Sequence, residues 1–179
     1  EREFKEAVRR ELDLVHSVET LSSVVKPFGP RRLYTRGELI RVRAAERTAY
    51  VFALASLNAH RTAELSTQEY MDSLPIVWNS LRTKGDLGSV NCPLIGAGFS
   101  RLNLTKEMIL TQIVRSFVAA SREGKLLESL TIYIGRSDFE DGRLTLEGVS
   151  RILDFECNYN VDLDLGANSP GIDASQAAI

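Results

Sequence analysis

The chain has 179 residues, of which 44% are hydrophobic and 26% charged, and its formal net charge at pH 7 is −2. This length and composition indicate one ordinary globular domain with a sizeable core, and the small net charge excludes a global attraction to nucleic acid. No apolar run reaches the ~18 residues of a membrane span. The two cysteines are too few for a disulfide scaffold, and no zinc motif is present, so we expect a reducing compartment, no metal and no cofactor.

Hydrophobic periodicity in the first third of the chain predicts a helix followed by a strand hairpin. Residues 1–15 carry an apolar stripe at helical spacing, whereas residues 16–37 are punctuated by proline and glycine and indicate a loop with a short strand. Residues 37–43 alternate like a half-exposed strand, and residues 44–47 can form the turn. Residues 48–56 are so apolar that we expect this strand to be buried on both faces.

The next helix has sequence signals at both ends. Ser66 and Glu69 match a capping box, and Gly85 is a suitable end. Pro75 lies inside the helix and should kink or split it. Residues 89–95, SVNCPLI, then form a buried strand.

A second helix and a further strand follow residues 89–95. Thr105 can cap a helix that runs to about Glu123, and its broad apolar face predicts deep burial. Residues 130–134 predict another core strand, and Thr145 opens a last helix.

Buried strands that alternate with helices predict an α/β domain, a three-layer α/β/α arrangement with a mixed sheet between helices. Residues 50–56, 89–95 and 130–134 are its expected central strands. We assign residues 1–156 to this domain, and residues 157–179, which have few large apolar side chains toward their end, to a tail or linker.

The junction between residues 91 and 110 combines a strand, two glycines and a helix, in the sequence NCPLIGAGFSRLNLTKEMIL. Backbone N–H groups of a glycine turn can form an anion-binding nest, the helix start adds a partial positive charge, and Arg101 can donate to an anion in bidentate fashion. The spacing lacks the third glycine of a dinucleotide fingerprint, the Gly-Lys-Ser/Thr of a triphosphate loop and the last glycine of a nucleophile elbow. A phosphate site and a purely geometric turn therefore both stay open.

Ligands of open α/β sheets bind beyond the carboxyl ends of the strands. Asn58, Gly96 and Gly135 each follow a predicted strand end, so three strand ends can converge on one cleft. Phe99, beside the two glycines, either covers a ribose or base at the rim or packs in the core.

Ser100 is a candidate nucleophile at the junction, but catalysis requires a base. His16 and His60 are the only histidines, and neither lies in a triad-like motif. Cys92 precedes a proline within a buried strand and is expected to be a small apolar residue. We therefore predict no catalytic residue.

Residues 92–109, CPLIGAGFSRLNLTKEMI, resemble the phosphate loop of macro domains. The closer resemblance is to a bacterial macro-domain-like family, often fused to N-terminal transmembrane helices, whose members are effectors of anti-phage Thoeris systems. That family has an LLGxGLSRLGLS strand and a helix ending in SFxxASRE, which here read LIGAGFSRLNLT and SFVAASRE. The resemblance covers roughly residues 33–155; the family's first strand and its membrane helices have no counterpart here.

The resemblance implies a sensor that binds an ADP-ribose-derived nucleotide, such as a histidine conjugate of ADP-ribose, made by a TIR-domain protein. In macro domains an aromatic residue after the strand equivalent to residues 130–134 often stacks on adenine, which points to Asp138 and Phe139. A loop phenylalanine that anchors the fold is an equal alternative for Phe139. The acidic cluster Asp138, Glu140 and Asp141 is more typical of a solvated loop than of a catalytic set. The expected ligand contacts are Gly96, Ala97, Gly98, Phe99, Ser100, Arg101, Asn58, Asp138 and Phe139.

Three functions are compared: this sensor, an ADP-ribosyl hydrolase on the same fold, and a scaffold that binds nothing. The sensor is preferred because no paired carboxylates or base accompany the glycine junction. Because the chain begins at Glu1 rather than Met, we expect a fragment, the cytoplasmic sensor of a membrane-anchored bacterial protein. No nucleic-acid partner is expected, and a homo-oligomer stays open.

Overall fold

The computed structural model describes residues 2–27, 31–44, 46–57, 62–98, 102–140, 142 and 144–159. The helices in these residues are α1 Arg2–Leu14, α2 Thr67–Lys84, α3 Lys106–Arg122, α4 Arg136–Glu140 and α5 Leu146–Asp154. The strands are β1 Glu19–Thr20, β2 Arg32–Leu33, β3 Leu39–Ala44, β4 Arg47–Phe52, β5 Ser56–Leu57, β6 Ala63–Glu64, β7 Ser89–Pro93 and β8 Ser129–Tyr133. A π-helical turn, Phe155–Tyr159, follows α5. None of these described helices is long and apolar enough to cross a membrane.

Helix α2 begins where the sequence predicts. The Ser66 hydroxyl accepts a 3.2 Å hydrogen bond from the Glu69 backbone N–H, and the Glu69 carboxylate accepts a 2.8 Å bond from the Ser66 N–H. This reciprocal pair satisfies two backbone donors that a helix start would otherwise leave open, and it confirms the capping box.

Pro75 does not split α2, which is one continuous helix. The neighbouring Leu74 and Val77 are only 1% and 2% exposed, so core packing on both sides of the proline holds the helix together although one backbone donor is missing. The helix closes with a 2.8 Å bond from the Gly85 N–H to the Leu81 carbonyl oxygen.

The described strands form four two-stranded sheets. β1–β2, β3–β4 and β5–β6 are antiparallel, and β7–β8 is parallel. In the β3–β4 hairpin Ala44 lies opposite Arg47, which confirms the predicted hairpin. In the parallel pair Pro93 lies opposite Tyr133, so both strands end at the same edge, and the segments that follow them start side by side.

Helices lie on both faces of the β3–β4 hairpin, and the combination of helices and small sheets confirms the α/β class. Ile40 and Val42 of β3 pack with Ala7 of α1 in a small cluster, whereas Leu39 faces the opposite way and joins the main core. In that core the ring of Trp78 on α2 meets Phe117 on α3 edge-on, with 5.5 Å between centroids.

Strands β7 and β8 each bury one face only. In β7, Val90 and Cys92 are half-buried on one face, where Cys92 packs against the main core, and the alternate residues are exposed. β8 has the same alternation. The expected buried strand over residues 89–95 is therefore shorter and has one exposed face, whereas Leu94 and Ile95, just beyond it, are each 7% exposed. The expectation that residues 48–56 form a strand buried on both faces is wrong, because β4 ends at Phe52 and none of its residues is fully buried.

The turn after α5 is fixed to α3 by a buried carboxylate. Glu156 is 1% exposed, and the Arg115 guanidinium donates to both of its oxygens, with 2.7 Å from Nη2 to Oε1. This pair supplies the hydrogen bonds that a buried charge requires. The division at residues 156 and 157 stays a prediction, since residues 160–179 lie outside the described part of the chain.

Candidate ligand-binding site

The first half of the glycine junction is a tight turn beyond the end of β7. Leu94 and Ile95 are each 7% exposed, and the Ala97 N–H donates a 3.1 Å hydrogen bond to the Leu94 carbonyl oxygen. The turn therefore buries its first two side chains in the core and turns outward at Gly96.

Gly96 and Gly98 have different reasons to be glycine. Gly96 has φ +89°, and a Cβ there would lie 2.9 Å from Cε2 of the Tyr70 ring, so both backbone conformation and packing exclude a side chain. Gly98 is exposed, and no heavy atom lies within 4 Å of where its Cβ would be. The fold therefore requires glycine at position 96, whereas no described residue fills the space beside Gly98.

Tyr70, on α2, supports the turn from below. Its side chain is fully buried, and its hydroxyl donates a 2.9 Å hydrogen bond to the Ile95 carbonyl oxygen. Burial, aided by the neighbouring Cys92 thiol, raises the pKa of the Tyr70 hydroxyl far above its ordinary value. The hydroxyl is therefore a neutral donor across the whole physiological pH range.

The second half of the junction leads into α3. Phe99, Ser100 and Arg101, three of the predicted ligand contacts, lie outside the described residues, as does Asn58. The Thr105 hydroxyl accepts a 3.2 Å bond from the Met108 N–H, which confirms the predicted cap. The junction therefore connects the turn that Tyr70 supports to a capped 17-residue helix. The start of this helix carries a partial positive charge.

Asp138 and Phe139 lie in α4, just after β8. Asp138 is 8% exposed, and its carboxylate is paired with the ammonium of Lys106, the first residue of α3. Phe139 packs half-buried against the main core. This position resembles a fold anchor more than a free ligand contact, and Asp138 is not the solvated loop residue that the sequence favoured.

The Lys106–Asp138 pair joins the two segments that follow β7 and β8. Asp138 also accepts a backbone bond of 3.0 Å from Leu144, and its N–H donates to the Gly135 carbonyl oxygen over 2.9 Å. Sequence reasoning did not identify Lys106 or Tyr70. Their local patterns are those of a helix start and a core stripe, and only the packing of distant segments assigns their partners.

A cleft of about 740 Å³ lies beside the turn. Its walls are the residues of β4 and β7, its floor includes Val77, Trp78 and Leu81 of α2, and Gly96 and Gly98 line it beyond the carboxyl end of β7. A largely apolar cavity with a few polar backbone groups at one end is typical of a small-molecule site.

The described residues do not favour a nucleophile or a metal site. Burial raises the pKa of the Cys92 thiol to about 11, so it stays protonated and unreactive at neutral pH. His16 is exposed after α1, and His60 lies outside the described part. Within that part no three histidine, cysteine, aspartate or glutamate side chains are grouped as a metal site requires.

These features define an α/β domain with a glycine turn, open to solvent on its outer side, at the carboxyl edge of two parallel strands. The family model described as Thoeris protein ThsA, Macro domain, matches residues 1–135. The chain therefore belongs to the family of Thoeris ThsA macro domains, as the glycine junction predicted. None of the curated proteins matches the chain at a significant level.

Proposed function

We propose that this domain binds an ADP-ribose-derived nucleotide at the junction Gly96–Arg101 and thereby controls an anti-phage effector. The observation that carries the proposal is the contrast between the two glycines: Gly96 is fixed against Tyr70, whereas the backbone at Gly98 is exposed with open space above it. An exposed glycine backbone with open space beside it is what close approach to a diphosphate requires.

The end of β7 and the start of α3 support this position for the ligand. The diphosphate or the distal ribose lies over residues 96–101, at the start of α3, where backbone N–H groups and the helix dipole favour an anion. Arg101 adds a charge-assisted hydrogen bond, so Arg101→Ala weakens affinity about tenfold to a hundredfold.

The domain acts as a sensor and not as an enzyme. Asp138, the acidic residue that sequence reasoning placed nearest the ligand, is buried and paired with Lys106, and the Cys92 thiol is held neutral. The signal comes from a TIR-domain protein, and the domain belongs to a membrane-anchored bacterial effector; the resemblance to the Thoeris family supports both statements. Fractionation of the full-length protein tests the anchor, which a wholly soluble distribution would contradict.

Calorimetry with ADP-ribose and with its histidine conjugate tests the binding. The Gly98→Val variant should stay as stable as the parent and lose measurable binding, because valine fills the space that the ligand needs. Gly88→Val is a matched control: it lies before the amino end of β7 and has equally open space around its Cβ position, so its binding should be unchanged. Equal affinity of all three proteins would show that the turn does not contact the ligand.

A further inference from the structure

The ion pair between Lys106 and Asp138 lies at the edge of the sheet where the glycine turn begins. The last residues of β7 and β8 are paired in register, and paired strands lie about 4.8 Å apart. Gly96 follows the first of these strands and Gly135 follows the second. A Cβ at position 135 would lie 3.3 Å from Oδ2 of Asp138. The carboxylate therefore borders the end of β8, one strand away from the glycine turn.

The segment that leads into α3 folds back onto the same turn. A Cβ at Gly96 would lie 3.4 Å from Cδ2 of Leu102, so the Leu102 side chain packs beside the turn. Lys106 comes shortly afterwards as the first residue of α3, directly after the cap Thr105. Its side chain thus extends from the region of the turn to the Asp138 carboxylate.

The pair is shielded from water but not sealed off from it. The side chains of Lys106 and Asp138 are 19% and 11% exposed, so their charges are screened less than charges in bulk water. Arg136 also follows β8, but its side chain is 90% exposed and pairs with Glu140 at the surface. An anion that reaches the Lys106 ammonium will therefore interact with it more strongly than with an exposed cation such as Arg136.

The two members of the pair differ in freedom. Asp138 is held by its backbone, since its N–H donates over 2.9 Å to the Gly135 carbonyl oxygen and its carbonyl oxygen accepts a 3.0 Å bond from the Leu144 N–H. Lys106 has a flexible side chain that ends in three donors. The ammonium can consequently turn toward a second anion while it keeps one donor on Asp138, and the negative charge of Asp138 repels that second anion.

We infer that the Lys106 ammonium binds the diphosphate of the ligand and that Asp138 sets the strength of this contact. Lys106 supplies a charge-assisted hydrogen bond in addition to that of Arg101. Asp138 is a positioning residue: it holds the ammonium at the strand ends and competes with the diphosphate for it. This inference rests on the proposed nucleotide function and assigns the diphosphate a second cation.

Calorimetry with ADP-ribose tests the role of Lys106. Lys106→Met should weaken binding about tenfold to a hundredfold, because a charge-assisted hydrogen bond is lost. Lys106→Arg should bind more tightly than Lys106→Met, since it restores the positive charge. Lys84→Met is the matched control: its ammonium pairs with Glu38 over 2.5 Å, before the amino end of β7, so its loss should leave binding unchanged.

Asp138→Asn distinguishes competition for the ammonium from a purely structural role. Asparagine keeps an oxygen that accepts from Lys106 but removes the negative charge, so the affinity for ADP-ribose should rise about threefold or more, although the domain unfolds more easily. A structural role alone predicts weaker binding. Thermal unfolding shows whether each variant is folded at the temperature of the titration; if Asp138→Asn is not, the two Lys106 variants decide.

Adenosine, which has no phosphate, is the reference ligand. Its affinity should be the same for the parent and for Lys106→Met. Unchanged ADP-ribose affinity in Lys106→Met, equal losses for ADP-ribose and adenosine in that variant, or weaker ADP-ribose binding by folded Asp138→Asn would each overturn this inference and leave the proposed function standing. A parent that does not bind ADP-ribose would overturn the proposed function, and this inference with it.

Discussion

The Tyr70 hydroxyl donates a 2.9 Å hydrogen bond to the Ile95 carbonyl oxygen, and the same ring lies beneath Gly96. A helix side chain thus fixes both the orientation and the height of the turn that follows β7. The geometry of the candidate site therefore depends on α2, a helix that is not adjacent to it in sequence.

Tyr70→Phe should lower the free energy of unfolding by about 1–2 kcal/mol, because it leaves the buried Ile95 carbonyl without this donor. It should also weaken binding of ADP-ribose. Tyr34→Phe is a suitable control: its hydroxyl makes a longer bond, 3.3 Å, to the Leu12 carbonyl oxygen, away from the turn. Denaturant unfolding and calorimetry on both variants would check this, and a similar loss of ligand affinity in both would argue against the role of Tyr70.

Gly96→Ala should destabilise the protein by roughly 2–4 kcal/mol, since it combines a positive φ with a contact against the Tyr70 ring. Gly142→Ala separates the two causes. Gly142 has φ +65° but no heavy atom within 4 Å of its Cβ position, so it should show only the backbone cost of about 1 kcal/mol. Equal losses in thermal unfolding would mean that the Tyr70 ring moves aside freely.

Asp138→Asn should cost about 2–4 kcal/mol, because it leaves the largely buried Lys106 ammonium without its charge partner. The double variant Lys106→Met/Asp138→Leu should lose less than the sum of the two single changes. Glu140→Gln is the control, since its pair with Arg136 is exposed and should contribute at most about 0.5 kcal/mol. Additive losses at Lys106 and Asp138 would contradict the coupling of the two segments.

The two thiols should differ in reactivity toward a disulfide reagent at pH 8. Cys157 is exposed and should react at once, whereas Cys92, whose thiol pKa burial raises to about 11, should react only as the protein opens. Cys157→Ser should remove the fast phase alone. Fast modification of Cys92 in the folded protein would show that its strand is accessible.

The raised thiol pKa of Cys92 also predicts that the protein loses stability at alkaline pH. Its folded-state pKa is raised above the ordinary value of 9.0, so above pH 9 the unfolded chain ionises first and binds fewer protons than the native one. The free energy of unfolding should therefore fall between pH 9 and about pH 11. Cys92→Ala should flatten the part of this interval below about pH 10, above which the raised pKa of the Tyr70 hydroxyl lowers stability in the same direction. An unchanged slope below about pH 10 in urea titrations would exclude the thiol as its cause.

No hydrolysis of ADP-ribosylated protein above background is expected, because no general base accompanies Ser100 in the sequence. A turnover assay with the parent and Ser100→Ala checks this. Activity that disappears in the variant would favour the hydrolase alternative over the sensor.

The sequence correctly predicted those elements that are set by interactions between residues close together in the chain. The capping box at Ser66 and Glu69, the cap at Thr105 and the β3–β4 hairpin are set by side chains that bond nearby backbone groups, and all are confirmed. Asp138, by contrast, was expected in a solvated acidic loop and lies in α4, where its carboxylate is paired with Lys106, 32 positions away in the chain.

The sequence by itself determined the α/β class, the glycine junction and the family, because periodicity, caps and a motif at fixed spacing are local properties of the chain. Only the tertiary structure decided that Gly96 lies against Tyr70, whereas the Cβ position of Gly98 has open space among the described residues. It likewise decided that Asp138 is paired with Lys106 and that β4 and β7 line one cleft. These relationships join residues far apart in sequence. They are fixed by the packing of whole helices and strands, and no local sequence pattern encodes that packing.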